Sequence, residues 1–285
     1  ALIQASGLGE RNLTSTSVAF GLAPRINAPR RLGYAVRALR LLLTEDVEQA
    51  EALAQELNGY NQSRKGMEQA IFEEICRRLQ QKPALKRQRV LVLSGEGWHQ
   101  GVIGIVATKV VELVGKPCIL LSISGKEARG SCRSVEGFSI VQALTACEEH
   151  LLRYGGHDQA GGLTLATSEI PAFEAAIQQY AAQTYDVMPT STLVLQGKVL
   201  AQQVTLDQVR SLTVLEPFGC GNPHPAFCLE GCRIEGIYSI GEGKHLRLRL
   251  SQRGAYFYGV YFGIAAARFP YREGDRVDLA VEFAI

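Results

Sequence analysis

Two apolar runs with a helical segment between them set the strongest limit on how this chain can fold. Arg89-Val-Leu-Val-Leu93 reads as a buried strand, Ser94 to Gly101 as a loop, Val102 to Leu113 as a helix and Cys118-Ile-Leu-Leu-Ser-Ile123 as a second strand. Gly115 and Pro117 supply the stop signal between helix and strand. A strand, a crossover helix and a strand in that order pair in parallel with a right-handed crossover. Phe138, Val141, Leu144 and Leu151 mark another helix, and Pro171, Phe173, Ile177 and Tyr180 a last one. Residues 86–188 are therefore expected to form an α/β domain with a mainly parallel sheet.

The segments on either side differ in kind. In residues 1–43, Leu32, Ala35, Val36, Leu39 and Leu43 fall at helical spacing, a surface that needs a partner to cover it. Thr44-Glu45-Asp46 then opens a long helix over residues 44–85, the hydroxyl as cap and the acids at the positive end of the dipole. Val47, Ala50, Leu53, Leu57 and Tyr60, then Met67, Ile71, Ile75 and Leu79, step by three and four until Lys82-Pro83. At 1.5 Å per residue such a helix is roughly 55 Å long, unless Asn58-Gly59 bends it. Arg64 and Lys65 either face a cleft beside this helix or are solvated.

Residues 189–285 read as an all-β module. Leu246, Leu248 and Leu250 alternate with His245, Arg247 and Arg249, a half-buried strand with one basic face. Tyr256 and Tyr258 share a face of the next strand, and Arg276 to Ile285 is a further strand. Basic residues beside aromatics on adjacent strands suit a single-strand-binding OB-fold, where charge tracks the backbone and rings stack bases. A merely solvated face has the same pattern.

Composition limits the function classes. A length of 285 residues suggests two domains, and the 46% hydrophobic and 20% charged fractions are those of an ordinary globular protein. A net charge of +2 does not announce nucleic acid, so any basic groove must be local. No apolar run approaches a membrane span, no signal peptide is visible, and seven scattered cysteines suit a reducing cytoplasm rather than a disulfide framework. Cys220, His224, Cys228 and Cys232 recur every four residues, but Gly219, Gly221, Pro223 and Pro225 exclude a helical metal stripe. With no Cys-x-x-Cys knuckle either, these thiols read as buried small hydrophobes, and no metal site is expected.

The chemistry concentrates in two places. Tyr154-Gly-Gly-His-Asp-Gln-Ala-Gly-Gly162 reads as a phosphate-handling loop: paired glycines let the backbone approach a ligand, and His157 can donate to a phosphate oxygen or move a proton. The alternative is a helix C-cap glycine followed by a turn. About twenty residues upstream, Ser131-Cys132-Arg133-Ser134 puts a hydroxyl and a guanidinium on one face of an extended chain, ready for one phosphate. His99 lies in the first βα loop, at the ligand-facing end of an open parallel sheet, with a site and a structural role both open. Its neighbour Trp98 reads as core packing rather than a base-stacking ring.

Five motifs in this order carry a resemblance: Phe20-Gly-Leu-Ala-Pro-Arg-Ile-Asn27, His99-Gln-Gly-Val-Ile-Gly-Ile-Val-Ala107, Gly130-Ser-Cys-Arg-Ser134, the Gly155–Gly162 stretch, and Glu216-Pro-Phe-Gly-Cys-Gly-Asn-Pro-His-Pro225. Together they resemble the RecJ single-strand-specific 5′→3′ exonucleases of the DHH phosphoesterase superfamily, along essentially the whole chain. Two departures stand out. The chain has no Asp-His-His, and it reads Ala28-Pro29-Arg30-Arg31 where the family usually has Ala-Ala-Gly-Arg.

The resemblance implies a parent enzyme of DNA repair and recombination that hydrolyses single-stranded DNA to mononucleotides with Mn2+ or Mg2+. The metal ligands would lie outside this chain, which would be a C-terminal portion cut at both ends. It also implies the architecture: residues 1–43 as the end of the DHH catalytic domain, 44–85 as the connecting helix, 86–188 as the DHH-associated domain, and 189–285 as an OB-like β-barrel. Within that frame His157 is the candidate catalytic residue. Ser131, Arg133, Ser134, Gly155, Gly156, Arg25, Asn27 and His99 are the candidate phosphate-binding residues, and Arg247, Arg249, Tyr256 and Tyr258 the candidate DNA-binding ones. A single-strand-binding protein and a RecQ-type helicase are the implied partners of a monomer. The other function class is a non-catalytic nucleic-acid-binding module, as related DHH-associated domains serve tRNA editing and small-molecule phosphodiesterases. A purely structural scaffold would leave Ser131, Arg133 and His157, clustered in one domain, unexplained.

Overall fold

The computed structural model describes residues 1–10, 12–190, 192–219 and 221–284. It has two compact units, Ala1–Thr192 and Leu193–Ile285.

The first unit begins with a short helix α1 (Leu2–Ala5), a π-helical turn at Ser17–Leu22, α2 (Ala23–Arg31) and α3 (Ala35–Leu43). Only Ala38 of α3 is buried, while Val36, Leu39, Leu42 and Leu43 are exposed, the uncovered surface expected from the sequence. The long helix α4 runs from Val47 to Gln81 without interruption, 35 residues or about 52 Å. Asp46 caps it, its side chain accepting from the Gln49 N–H at 3.1 Å. The break weighed at Asn58-Gly59 does not occur, because buried Leu53, Ala54, Leu57 and Asn61 anchor both sides of the glycine. That anchoring outweighs the roughly 1 kcal/mol that glycine costs a helix interior.

The strand–helix–strand unit forms as expected: β1 (Leu91–Glu96), α5 (Gln100–Val114) and β2 (Cys118–Ser124), with β1 and β2 parallel. Gly115 ends α5 in the left-handed conformation at φ 64°. The rest of the sheet departs from the expectation of mainly parallel pairing. It runs through β3 (Glu127–Arg133), α6 (Ile140–Thr145), β4 (Arg153–His157) and β5 (Ala160–Ala166), followed by α7 (Ile170–Thr184). The strand order is β1-β2-β3-β5-β4, and every pair after the first is antiparallel. Only Gly125 and Lys126 separate β2 from β3, and only Asp158 and Gln159 separate β4 from β5. Links that short make hairpins, whereas a parallel pair needs a crossover of a dozen residues or more.

The same hairpin corrects the reading of the Gly155–Gly162 stretch as a loop that follows the helix marked by Phe138, Val141, Leu144 and Leu151. Helix α6 ends at Thr145, and the glycines are strand residues paired with one another, Gly155 with Gly162 and Gly156 with Gly161. The sheet buries two cores. One face packs Val92, Ile119, Leu121, Cys132, Leu165 and Phe173 together. The other packs Leu91, Leu93, Val102, Val106 and Leu120 against Ile71, Ile75 and Leu79 of α4.

The second unit contains β6 (Gly197–Lys198), α8 (Leu206–Ser211), β7 (Ala226–Ile240), β8 (His245–Gln252), β9 (Ala255–Tyr261) and β10 (Arg276–Glu282). The strand order is β10-β7-β8-β9, with β6 alongside β7. This corrects the barrel expectation: among the described residues β9 and β10 are the two ends of an open sheet, each laddered on one side only. Leu246, Leu248 and Leu250 of β8 face a core with Ile234, Phe257 and Leu279, as the alternation requires.

Candidate nucleic-acid interface

Strand β3 divides its side chains between the two faces of the sheet. Ala128 and Cys132 enter one core, while Arg129, Ser131 and Arg133 point to the α5 side. The antiparallel register carries these residues across the outer strands. Ser131 lies opposite Gly162, which lies opposite Gly155, and Arg133 lies opposite Ala160, which lies opposite His157. Residues directly opposite one another share a face. The outer sheet is therefore a floor without side chains along the glycine row, edged by the Ser131 hydroxyl, the Arg133 guanidinium and the exposed His157 imidazole. Gly156 is required for a different reason. Its φ is 151°, and a Cβ there would lie 2.4 Å from the Ala160 carbonyl oxygen.

Helices α2 and α5 close the other side. A Cβ on Gly101 would sit 2.0 Å from the Arg31 carbonyl oxygen, and one on Gly104 would sit 2.9 Å from Ser131 Oγ and 3.3 Å from Arg133 Nη2. These two glycines let the start of α5 approach both α2 and β3. The result is a cleft of about 540 Å³ lined by Asn27, Arg30, Arg31, Gln100, Ser131 and Arg133 with the two glycines. Arg31 Nη1 donates to the Gly101 carbonyl at 3.3 Å, and Arg133 Nη1 to the Cys132 carbonyl at 2.7 Å.

The cleft is electropositive. Burial, followed by the charges of Arg64, Arg133 and Arg30, lowers the Arg31 pKa, and Glu68 opposes the shift. Behind Arg31, in the middle of the α4 seam, Arg64 and Glu68 are buried together. Arg64 Nη2 donates to Asn61 at 3.0 Å, and Glu68 pairs with both Arg64 and Lys109. One carboxylate thus faces several cations, an arrangement suited to receiving an anion.

The remaining candidates have other partners. His99 caps α5, its Nδ1 accepting from the Gly101 N–H at 3.1 Å. Ser134 Oγ donates to the Phe138 carbonyl at 2.7 Å. Arg25 donates to Asn58 Oδ1 at 2.9 Å and to the Gly21 carbonyl at 2.6 Å, tying α2 to the long helix. Asn27 lines the cleft. Trp98 is core, its indole N–H donating to Glu74 at 2.9 Å. Sequence reasoning missed Arg30, Arg31 and Gln100 as cleft residues, Glu68 as the partner of Arg64, and Lys109 as the second partner of Glu68. A polar trio interrupting an apolar seam at Asn61, Arg64 and Glu68 was the available signal. Cys220 lies outside the described residues. Among the described residues no group of three or more His, Cys, Asp or Glu side chains could hold a metal ion. His224 instead lies against Phe218, with ring centroids 3.9 Å apart and the rings tilted by 36°.

In the second unit the exposed face of β8 and β9 interleaves arginine and tyrosine. Arg247 lies over the Tyr258 ring at 4.2 Å, and Arg249 over the Tyr256 ring at 5.3 Å. Tyr238 lies opposite Arg247 on the neighbouring strand. Arg233 lies opposite both Ser251 and Arg276, so the face ends in two arginines side by side. Tyr238, Arg233 and Arg276 extend the surface read from the sequence.

Comparison with known proteins agrees with this division. The DHHA1 domain family matches residues 87–183, and the RecJ OB domain family matches residues 195–285. The single-stranded-DNA-specific exonuclease RecJ of Thermus thermophilus is 41% identical over 237 residues, covering 83% of this chain and 34% of that protein. RecJ of Bacillus subtilis is 32% identical over 292 residues, covering 100% of this chain and 36% of that protein. The chain spans about a third of the length of these two relatives. The crystal structure of Thermus thermophilus RecJ in complex with Mn2+ superposes with a TM-score of 0.82 at 35% identity, covering 99% of this chain and 40% of that one. The corresponding Mg2+ complex has a TM-score of 0.78 at 34% identity and covers 42% of that chain. The chain belongs to the RecJ family and carries its DHHA1 and RecJ OB domains.

Proposed function

We propose that this chain is the substrate-phosphate wall and DNA-binding part of an exonuclease that removes nucleotides from the 5′ end of single-stranded DNA. One observation carries the reading: Arg31, Ser131 and Arg133 converge on an electropositive cleft beside a glycine floor that ends at His157. Arginine offers the fork that fits phosphate oxygens, and the serine hydroxyl adds a further donor. The absence of side chains at Gly155 and Gly162 lets a strand lie against the sheet. In this reading Arg31, Ser131 and Arg133 hold a terminal phosphate. His157 donates to the next phosphate along and stabilises charge that builds on it. Arg247, Arg249, Tyr256 and Tyr258 hold the strand further on by charge and stacking.

The two Thermus thermophilus structures contain Mg2+ and Mn2+, and a divalent ion is the expected cofactor of the whole enzyme. The described residues here do not fit one. The chain by itself is expected to bind and not to cleave. Repair and recombination, alongside a single-strand-binding protein and a helicase, is the setting that suits this activity.

The test is binding and cleavage of 5′-phosphorylated single-stranded DNA with manganese present. Binding without cleavage is expected, weakened by Arg133→Ala. Cleavage abolished by His157→Ala would mean that a complete catalytic site lies within these residues. No binding at all would refute the nucleic-acid reading.

A further inference from the structure

Beside Arg249, the sheet of the second unit gathers three further arginines. Arg276 of β10 lies opposite Arg233 of β7, Arg233 opposite Ser251 of β8, and Ser251 opposite Tyr256 of β9. Residues directly opposite share a face, and Ser251 alternates with Arg249 and Arg247, so this row lies on the arginine–tyrosine face. Like charges directly opposite one another work against a sheet, so the Arg233–Arg276 pair does not serve the fold. The third arginine is placed at a similar cost. Arg253 and Gly254 form the two-residue turn between β8 and β9, with φ of 48° and 88°. Such a turn favours asparagine or glycine at its first position, and an arginine there is strained. All three arginines are exposed and line one cleft of about 560 Å³. Of the two carboxylates on its wall, Glu230 is paired with Lys198, and Glu235 accepts from Ser251 Oγ at 2.5 Å and lies 4.0 Å from Arg233 Nε. Neither Arg253 nor Arg276 is paired with a carboxylate among the described residues.

We propose that Arg233, Arg253 and Arg276 form a seat for an internal backbone phosphate of the single strand that lies on this face. The proposal rests on the reading of Arg247, Arg249, Tyr256 and Tyr258 as the surface that holds the strand. Three guanidinium forks around one cleft, with a single carboxylate held to one side, suit a phosphate. The neighbouring ring decides what carries that phosphate. Tyr256 stands in the same row and is exposed, with Arg249 over its ring at 5.3 Å. A nucleotide brings a base for the ring and a phosphate for the arginines, whereas an acidic peptide would use the arginines and leave the ring idle. Arg249 is one row away, about 6.8 Å along β8, so adjoining parts of one backbone can engage both. The seat lies at the margin of an open sheet, with β10 laddered on one side only, and nothing on its wall caps a strand terminus. It therefore adds affinity without needing a 5′ end, unlike the cleft of Arg31, Ser131 and Arg133.

The experiment titrates three ligands into the chain and its variants: a dodecamer of thymidylate with a 5′-phosphate, the same dodecamer with a 5′-hydroxyl, and the mononucleotide pdT. Arg276→Ala and Arg253→Asn should each weaken both dodecamers about fivefold to tenfold and lower their log–log salt slopes by roughly one. Neither should change pdT binding by more than about twofold. Asparagine suits the turn better than arginine does, so Arg253→Asn should not lower the melting temperature, and its loss of binding cannot be ascribed to unfolding. Unchanged affinity for both dodecamers would overturn the proposal. A loss confined to the 5′-phosphorylated dodecamer would overturn it too, because the seat would then read an end. So would a decaglutamate peptide that binds the wild type and is lost in Arg276→Ala while the dodecamers are not, which would give the arginines to an acidic protein. Tyr258→Ala tests the underlying reading separately. Unchanged dodecamer affinity in that variant fails the face, whereas a loss there with none in Arg276→Ala and Arg253→Asn fails the seat alone.

Discussion

Gly104→Ala should separate the stability of this protein from its binding. The residue lies inside α5, where alanine is favoured over glycine by up to about 1 kcal/mol. Its added Cβ would meet Ser131 Oγ at 2.9 Å and Arg133 Nη2 at 3.3 Å. Both neighbours are side-chain ends, one a hydroxyl and the other the tip of a long arginine. They can move by a few tenths of an ångström without disturbing the backbone, so the cost in stability is small. The same movement displaces two donors from the cleft, and charge-assisted hydrogen bonds are sensitive to that geometry. Losing the equivalent of one is worth about 1.5–3 kcal/mol, or roughly 10- to 100-fold in affinity. The expected outcome is a melting temperature unchanged or raised by about 2–4 °C, with 5′-phosphate binding weaker by tenfold or more. Thermal denaturation and titration with pdT on one preparation would measure both. Affinity within twofold of wild type, in a protein of unchanged stability, would refute the placement of phosphate between α5 and β3.

Other substitutions test other parts of the argument. Glu68→Gln removes the buried carboxylate that Arg64 and Lys109 share, and should destabilise the chain by about 3–5 kcal/mol in urea unfolding; a loss under 1 kcal/mol would mean the pairing is not what holds the seam. Tyr258→Ala should weaken a single-stranded oligonucleotide by about 1–3 kcal/mol while leaving pdT unaffected, and loss of both together would contradict the separation of the two surfaces. Burial raises the Cys132 thiol to about 12 and the Cys147 thiol to about 11, above the unfolded value of 9.0. The unfolded chain therefore releases these protons first, and stability should fall as pH rises from about 9 towards 11. Urea midpoints at pH 8 and pH 10 check the sign, and a higher midpoint at pH 10 would contradict it.

The parts of the fold that the sequence specified locally were legible in it. Gly115 as a stop, Asp46 near the start of a helix, and the Leu246–Leu250 alternation each depend on neighbours a few residues away. Sheet direction beyond β2 was not legible from the strand–helix–strand pattern, because it is decided by two short links, Gly125-Lys126 and Asp158-Gln159. The paired glycines were read as a loop for a related reason. Glycine is poor in strands when judged alone, and here the strand is held by its register with Gly161 and Gly162, a partnership that no local window contains.

The candidate site divides in the same way. Ser131 and Arg133 were visible because alternation along one strand puts them together. Arg31 was not, because its place in the cleft depends on α2 meeting α5 at Gly101, seventy residues away. The buried Arg64 and Glu68 show why that meeting can hold so many cations. An apolar seam would have packed α4 well enough, but it would have left Arg31 beside Arg30 and Arg133 without the Glu68 carboxylate that opposes them. Glu68 supplies partial compensation and no more, and the charge that remains is what an incoming phosphate would neutralise. The polar interruption of the long helix and the open glycine floor therefore belong to one arrangement: Glu68 tempers the charge that Arg30, Arg31 and Arg133 bring together, and the glycines keep the sheet beside them free of side chains.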